Sequence, residues 1–486
     1  MPKWNDGRFM DNEVDGKNVL KGVAWKLAER IAAKLVELVV SLVLARILSP
    51  EYYGMVAMVM VFIAIADVFI TSGFSAALIQ KKNADSVDFS TMFYCSLACS
   101  ILIYIIVFGA APFISAFYKE ESLCLLVRVF ALKIPLSVYN SIQHAYVSRH
   151  MMFKRFFWST LLGTVVSGII GIILAYKGAG VWALVAQYFI NMIIDTVVLK
   201  ITVPWKLKKE FSVERAKSLL AYGWKILVAD LSGTFFNQLK SLLIGRYYTK
   251  SDLAYYNKGQ QFPELLYSNI STAVSSVMFP AIANYSDDCK RVKYVTRKAV
   301  RILSYIIMPL LLGLAAVSDI LIPILLTDKW QESVVFVKIL CIDYVITSVA
   351  VVPFQAIKAI GQSNSILKME IIKKPIYVIL LVIGIKTNVY MVAVVMVIYD
   401  VYGSIVNSVL VRKYISYSYK EQLADILPSL AISVAMAAVV FMINPTRILI
   451  INLIVKLVVG VIVYLLISVI MKAKPLKEIS NMIGNR

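Results

Sequence analysis

Long apolar runs follow one another along almost the whole chain, separated by short polar or Pro- and Gly-containing connections. Each run has about 20 residues or more, the length that an α-helix needs to cross the hydrocarbon core of a bilayer. We count fourteen runs and predict one transmembrane helix for each: 19–46, 53–78, 89–111, 123–146, 157–176, 181–201, 218–245, 253–283, 299–326, 334–359, 366–385, 389–411, 423–443 and 448–471. The predicted fold class is therefore an all-α integral membrane protein.

Composition and charge support this class and exclude others. Hydrophobic residues make up 60% of the 486 residues, far more than a soluble protein of this length needs. The net charge is +21, but most of the excess positive charge lies in the short connections. It therefore indicates how the protein is oriented in the membrane and does not indicate nucleic-acid binding. The five Cys residues lack metal-ligand spacing, and no nucleotide-binding or hydrolase motif is present. We therefore expect no enzymatic site and no cofactor.

The connections alternate in positive charge. Those after even-numbered runs, including the C-terminal tail, contain 28 Lys and Arg residues, whereas those after odd-numbered runs contain 8. Positive residues favour cytoplasmic loops. We therefore predict an even number of spans, with both termini in the cytoplasm.

The first and seventh runs resemble each other. Trp25 precedes Arg46 by 21 residues, Trp224 precedes Arg246 by 22, and each Trp is followed directly by a Lys. A Gln also precedes the basic connection after both the fourth and the tenth run. Matches at corresponding positions indicate a duplicated six-helix bundle. Because both halves begin in the cytoplasm, we predict parallel repeats with the cargo between them.

The repeat predicts the domain organisation, with the last two helices outside the duplicated core. The segments are a cytoplasmic N-terminal tail (1–18), an N-terminal six-helix lobe (19–201), a cytoplasmic linker (202–217), a C-terminal six-helix lobe (218–411), two additional transmembrane helices (412–471) and a cytoplasmic tail (472–486).

Cationic side chains inside the apolar runs give the first indication of function. A charge at the bilayer centre costs at least ~2.5–3.5 kcal/mol, so it normally faces a polar cavity or a partner. In the first run, polar residues at helical spacing fall within roughly an 80° arc: Lys26, Arg30, Lys34, Glu37 and Ser41. In the seventh run, a second set falls within about 140°: Lys225, Asp230, Asn237 and Lys240.

We predict that these stripes line a cavity for an anionic cargo. The candidate substrate-binding residues are Lys26, Arg30, Lys34, Ser41, Lys133, Lys225, Asn237 and Lys240. The alternative is that the charges pair between helices, Lys34 with Asp230 for example, and only hold the bundle together. Lys456 lies in the last run, outside the repeat, and we interpret it as structural.

Carboxylates in the apolar runs are candidates for ion coupling. Without a nucleotide site, vectorial transport would draw on a proton or sodium gradient, and a buried carboxylate would bind the ion. Glu37 and Asp230 are the first candidates because they share the stripes with the cations, and Asp67, Asp343 and Asp400 follow. Each of them has the alternative role of partnering a nearby cation.

The opening of the chain resembles a known family. The segment from Trp25 to Leu44, with the Ala-Arg-Ile-Leu-Ser-Pro-Glu-Tyr-Tyr-Gly sequence after it, resembles the start of Wzx-type polysaccharide flippases. These belong to the multidrug/oligosaccharidyl-lipid/polysaccharide exporter superfamily. The stretch from Gln143 to Phe153 resembles the basic turn after their fourth helix. The resemblance implies a V-shaped alternating-access transporter with two six-helix lobes and two trailing helices.

The resemblance also implies the cargo and its partners. The cargo would be an undecaprenyl-pyrophosphate-linked oligosaccharide, moved from the cytoplasmic to the outer leaflet of the bacterial inner membrane for surface polysaccharide biosynthesis. A proton or sodium ion, membrane lipids, a polysaccharide polymerase and a chain-length regulator are the other implied partners. A peptidoglycan-precursor flippase and a drug/ion antiporter of the same superfamily are alternatives, although the cationic first helix argues against cationic drugs. A membrane scaffold is the alternative outside transport.

Overall fold

The computed structural model describes residues 34–71, 73–81, 84–286, 288–446, 448–476 and 478. Over these residues the chain is almost entirely helical and contains no strand. In this part of the chain, the helices of eight residues or more are α1 (34–47), α2 (Pro50–Thr71), α3 (Gly73–Gln80), α4 (Ser86–Tyr118), α5 (Leu123–Ala131), α6 (Lys133–Arg149), α7 (Phe153–Tyr176), α8 (Val181–Thr202), α9 (Val213–Tyr247), α10 (Lys250–Ala283), α11 (Cys289–Leu326), α12 (Ser333–Ala359), α13 (Ser363–Thr387), α14 (Val389–Ile415), α15 (Tyr419–Met442) and α16 (Leu449–Ile470).

Within the described ranges, 11 helical segments are long and apolar enough to cross a membrane. They are α2, α4, the pair α5–α6, α7, α8, α10, α11, α12, α14, α15 and α16. The prediction of an all-α integral membrane protein is confirmed. The seventh and eleventh predicted spans correspond to α9 and α13, which are of similar length but carry more charged residues. The total of fourteen spans stays a prediction.

One predicted span is divided in the structure. The fourth consists of α5 and α6, which meet at Leu132. Pro135 is the third residue of α6. Proline has no N–H and is tolerated in the first turn of a helix but disrupts its interior, so a break just before Pro135 accommodates it. The second predicted span corresponds to α2 and α3, and residue 72 between them lies outside the described residues.

The chain divides into two compact units, Met1–Ser251 and Asp252–Arg486. In the first unit, α9 packs against α2, α3 and α4, and Leu219 near its start is buried. The sequence repeat assigns α9 to the C-terminal lobe, 218–411, whereas its packing assigns it to the first unit. The two criteria differ because a repeat shows which helices are similar in sequence, whereas packing shows which helices are neighbours in space.

The linker before α9 lies against α4 of the same unit. The buried Trp205 ring is 6.1 Å from the ring of Phe89, centroid to centroid. The backbone N–H of Lys208 donates to Ser90 Oγ at 3.0 Å. These contacts fix the start of α9 in the first unit.

In the second unit, α12, α15 and α16 pack around α11, which has 38 residues. An ion-pair network joins α11 to α15. Arg297 Nε is 2.6 Å from Asp425 Oδ2, and Arg301 Nη1 is 3.2 Å from Asp425 Oδ1. The Tyr417 hydroxyl also donates to Asp425, at 2.9 Å. The two helices that the sequence places outside the repeat are thus attached to α11.

Candidate functional site

Helix α1 exposes two different faces. Leu35 and Val39 form an apolar face and are 57% and 59% exposed. The side chains of Lys34 and Glu37 are 51% and 54% exposed, and they lie about 100–160° around the helix from that apolar face. The buried Leu44 lies on the polar side. The polar side of α1 is therefore packed near the end of the helix, at Leu44, and open near its start, at Lys34 and Glu37.

The polar face of α1, formed by Lys34, Glu37 and Ser41, contains an ion pair. Lys34 Nζ is 2.6 Å from Glu37 Oε2, so the partner of Lys34 is one turn away on its own helix and is not Asp230. Ser41 is partly buried on the same side. An exposed pair at this spacing contributes only about 0.3–0.5 kcal/mol, so an anionic ligand can displace the carboxylate from the lysine at little cost.

Two of the predicted cations of the first run, Lys26 and Arg30, lie outside the described residues. Their role at the start of the polar stripe stays a prediction from the sequence.

Helix α9 repeats the arrangement. Trp224 and Phe235 are 55% and 45% exposed and form an apolar face. Asp230 and Asn237 are also exposed, about 120–160° around the helix from it. Ile244 lies on the same side as these two polar residues, nearer the end of α9, and is completely buried. This side of α9 is thus packed near the end of the helix and open at its middle. We call the exposed polar part, formed by Asp230 and Asn237, the open face of α9.

The two lysines predicted on α9 differ in position. Lys240 is partly buried and lies about 60–80° from the open face of α9. Lys225 is exposed and lies about 120–140° from Asp230 and Asn237. The helix therefore keeps Lys240 near the open face and turns Lys225 away from it.

Lys133 pairs with a carboxylate of another helix. It is the first residue of α6, directly after the break at Leu132, and its Nζ is 2.9 Å from Asp67 Oδ2 on α2. The two side chains are 19% and 27% exposed. This is the interhelical pairing that the sequence left open as the alternative for Lys133. Because both side chains are still accessible, a role in cargo binding stays a prediction.

A polar cluster that the sequence did not predict joins α6 and α8. Asp195 Oδ2 accepts a hydrogen bond from Asn140 Nδ2 at 2.7 Å and lies 3.0 Å from His144 Nε2. Asn140 and His144 are four residues apart, which places them on one face of α6. The sequence contains this spacing, but it does not show that the face meets Asp195 on another helix.

In the second unit, the Thr347 hydroxyl group connects the carboxylate of Asp400 with the backbone of Asp343. Thr347 Oγ1 donates to Asp400 Oδ2 at 2.7 Å and to the backbone carbonyl of Asp343 at 3.0 Å. Asp343 is 9% exposed. Among the described residues, no group of three or more His, Cys, Asp or Glu side chains is arranged to hold a metal ion.

Two carboxylates in connections of the first unit have lowered pKa values. Partial burial opposes ionisation of Asp85, but hydrogen bonds from Arg215 and from backbone N–H groups outweigh it, so its pKa lies below the usual value. Hydrogen bonds from Ser122 and from Lys250, the latter at 3.1 Å, lower the pKa of Glu120. Both carboxylates therefore stabilise the folded first unit as anions.

A family model, curated relatives and a solved structure are similar to the chain. Residues 43–335 match a family model described as "Polysaccharide biosynthesis protein". Succinoglycan biosynthesis transport protein ExoT of Rhizobium meliloti (strain 1021) is 22% identical over 66% of this chain and 65% of its own length. Lipopolysaccharide biosynthesis protein WzxC of Escherichia coli (strain K12) is 22% identical over 76% of this chain and 75% of its own. The match thus spans slightly less than two thirds of the first relative.

A solved structure shares the fold. The inward closed conformation of the lipid II flippase MurJ superimposes with a TM-score of 0.75 and 16% sequence identity, over 91% of this chain and 98% of that one. At this identity the similarity establishes the fold alone. The all-α membrane-protein fold that the sequence implied is confirmed.

Proposed function

Because the chain belongs to the family of polysaccharide biosynthesis proteins, whose model covers more than half of it, we propose that it is a flippase for lipid-linked oligosaccharides. It moves an undecaprenyl-pyrophosphate-linked repeat unit from the cytoplasmic to the outer leaflet of the bacterial inner membrane, for surface polysaccharide biosynthesis. It is a transporter and not an enzyme. The names of its relatives, a succinoglycan transport protein and a lipopolysaccharide biosynthesis protein, support this cargo class.

The observation that carries the proposal is the polar face of α1. Lys34 is about half exposed on the side of a membrane helix that is opposite its apolar face. A hydrated cargo with a pyrophosphate group fits such a face, because an ammonium group makes its strongest hydrogen bonds to ionised oxygens. Lys26 and Arg30 extend the same stripe in the sequence.

The orientation of the protein is part of the proposal. Both termini lie in the cytoplasm, because the connections on that side carry 28 of the Lys and Arg residues and the opposite connections carry 8. Two six-helix lobes, 19–201 and 218–411, then alternate access to the two leaflets. A polysaccharide polymerase and a chain-length regulator are the proposed partners, because they act on the repeat unit.

Ion coupling is proposed at the carboxylates of the two polar faces. Glu37 on α1 and Asp230 on α9 are exposed, and Glu37 is paired with a lysine that the cargo phosphate would also contact. A proton or sodium ion on Glu37 would compensate the carboxylate when the phosphate takes its lysine. Binding of the ion and binding of the cargo are thereby linked.

A peptidoglycan-precursor flippase is the second candidate function. The specific observation in its favour is the structural similarity to the lipid II flippase MurJ. A drug antiporter is less well supported, because a lysine-bearing first helix repels cationic drugs. Both alternatives are transporters, and they differ from the main proposal in cargo.

Flipping in reconstituted vesicles tests the proposal. The full chain is reconstituted into proteoliposomes that contain a labelled undecaprenyl-pyrophosphate oligosaccharide, and an impermeant glycosidase measures how much of it changes leaflet. We expect faster transfer than in protein-free liposomes, and faster transfer of the oligosaccharide lipid than of lipid II. Transfer at the rate of protein-free liposomes would overturn the flippase assignment, and preference for lipid II would support the second candidate.

A further inference from the structure

Three charged residues near one end of the second unit form a cluster outside the proposed cargo path. Lys338 of α12 donates to both carboxylate oxygens of Asp319 on α11, at 2.8 Å and 2.7 Å. Lys456 lies on α16, which packs against α11, and is close enough to Asp319 and Lys338 for their charges to act on it. We call these three residues the outer triad. It contains two cations and one carboxylate, so it carries a net positive charge.

Lys456 is the unusual member of the outer triad. It is 3% exposed, and its ammonium group donates no hydrogen bond to any residue in the described part of the chain. Among the described residues, Lys456 Nζ is not one of the fully enclosed polar atoms that lack a partner, so the ammonium group at the end of this buried side chain is accessible. Asp319 already accepts twice from Lys338. The three donors of Lys456 are therefore left for a ligand that can accept them.

The depth of the outer triad indicates where that ligand comes from. Asp319 lies seven residues before the end of α11, and Lys456 lies seven residues after the start of α16. At 1.5 Å per residue, both are about 10 Å from the helix ends. In the proposed orientation these ends face the outside, so the outer triad lies just below the headgroups of the outer leaflet.

We propose that the outer triad binds the phosphate group of a lipid in the outer leaflet. A phosphate oxyanion supplies the acceptor oxygens that Lys456 lacks and neutralises the excess positive charge, while Asp319 holds Lys338 in place. The assignment of the leaflet rests on the proposed function. The site would receive the phosphate of the cargo lipid after transfer or that of an outer-leaflet phospholipid, since both present the same chemistry.

The chain offers a matched control for Lys456. Lys373 on α13 is also buried, 5% exposed, but its ammonium group is hydrogen-bonded to Glu370 and to Asn407, the latter at 3.2 Å. Both lysines lie on helices of the second unit. Only Lys456 should change lipid binding when it is replaced by Met.

Lipid affinity of the purified full chain tests the proposal. Binding of undecaprenyl pyrophosphate, of phosphatidate and of inorganic pyrophosphate is measured by the shift in thermal unfolding over a concentration series. Lys456→Met should weaken binding of the lipid phosphates by about tenfold or more, which is about 1.4 kcal/mol, and Lys373→Met should leave it within about twofold. The lipid that binds more tightly identifies the source of the phosphate group. If inorganic pyrophosphate binds as tightly as the lipids, the site is one for a free anion, and the lipid assignment is overturned.

A second variant separates this site from a structural cross-link. Asp319→Asn raises the net positive charge and also releases Lys338, so a phosphate site predicts a changed lipid affinity, whereas a cross-link through Asp319 predicts lower thermal stability with unchanged lipid affinity. Unchanged lipid affinity in both Lys456→Met and Asp319→Asn would overturn the proposal. Flipping by the wild-type chain is measured in parallel, so a failure of the flippase assignment is recorded separately from a failure of the lipid site.

Discussion

Charged residues on α1 of the first unit and on α11 of the second unit have opposite surroundings. On α1, Lys34 and Glu37 are more than half exposed and pair with each other on one helix. On α11, Arg297 and Arg301 are 31% and 16% exposed and share the buried Asp425 of α15. The same types of residue form an open face in one region and a closed network between helices in the other.

The comparison separates charges that stabilise the fold from charges that are available to a ligand. Removing one partner of a buried ion pair leaves an uncompensated charge and costs about 3–5 kcal/mol. An exposed pair contributes about 0–1 kcal/mol. The half-exposed Lys34 therefore adds little to folding and, in the proposed function, is available to a hydrated anionic cargo.

The largest expected effect is on the closed network. Asp425→Ala removes the shared partner of Arg297 and Arg301 and should lower the free energy of unfolding by about 3 kcal/mol, the lower end for a buried pair, because the two arginines keep Glu421 and Glu478 as partners. Thermal or denaturant unfolding of the detergent-solubilised chain measures it. Glu121→Ala, in an exposed connection, is the control and should change stability by less than about 0.5 kcal/mol. Equal stability of the Asp425 variant and this control would show that the network does not hold α15 to α11.

The pair between Lys133 and Asp67 joins two helices, as in the closed network, but both of its side chains remain partly accessible. It therefore sharpens the comparison. Asp67→Asn leaves the partly buried Lys133 without its counter-charge and should lower stability by about 1–3 kcal/mol. The double variant Asp67→Asn with Lys133→Met should recover that loss, because no charge remains. If Lys133 also binds cargo, the double variant regains stability but not flipping. If the double variant recovers both stability and flipping, the pair only stabilises the fold.

Ion coupling should depend on the polar face of α1 and the open face of α9. Glu37→Gln and Asp230→Asn remove an ionisable group at exposed positions, so stability should change by less than about 0.5 kcal/mol, while stimulation of flipping by a proton or sodium gradient should be lost. Flipping in proteoliposomes, with and without the imposed gradient, measures this. If both variants keep the stimulation, the coupling carboxylate must be sought elsewhere, and Asp343 and Asp400 around Thr347 are the next candidates.

The smallest effect is expected from the pair of Asp85 and Arg215, which is mostly exposed. Because the folded-state pKa of Asp85 is lowered, its contribution is present above the unfolded-state pKa of about 3.9 and is lost as the pH falls through the folded-state value. Asp85→Asn keeps a good N-cap residue but removes this charge. Wild type should be slightly more stable than the variant at pH 6, and the difference should vanish in acid. A constant difference at all pH values would argue against this ion pair.

The apolar pattern predicted the helices well because the bilayer imposes a length on each of them. The predicted span 389–411 corresponds to α14, Val389–Ile415, and 181–201 corresponds to α8, Val181–Thr202. The break at Leu132 was not predicted, although Pro135 was visible in the sequence. A proline allows either a kink or a new helix start, and the packing around it decides between them.

Side-chain partners could not be predicted in the same way. Lys133 and Asp67 are 66 residues apart in the chain, and His144 and Asp195 are 51 residues apart. Helical periodicity places a residue on a face, but it does not show which other helix that face meets. For this reason the stripe on α1 was visible in the sequence, whereas the pairing of Lys34 with Glu37 in preference to Asp230 was not.

The central claim is that the polar face of α1 acts on an anionic cargo through charge, and a comparison of two substitutions at Lys34 tests it most directly. The initial rate of transfer of undecaprenyl-pyrophosphate oligosaccharide is measured in proteoliposomes for Lys34→Arg and Lys34→Met, with Lys177→Met in an exposed connection as the control. The Arg variant and the control should match wild type. The Met variant should be slower by about tenfold or more, because it loses a hydrogen bond between charged groups of about 1.5–3 kcal/mol, while its thermal stability stays that of wild type. Transfer by Lys34→Met at the wild-type rate would contradict the account.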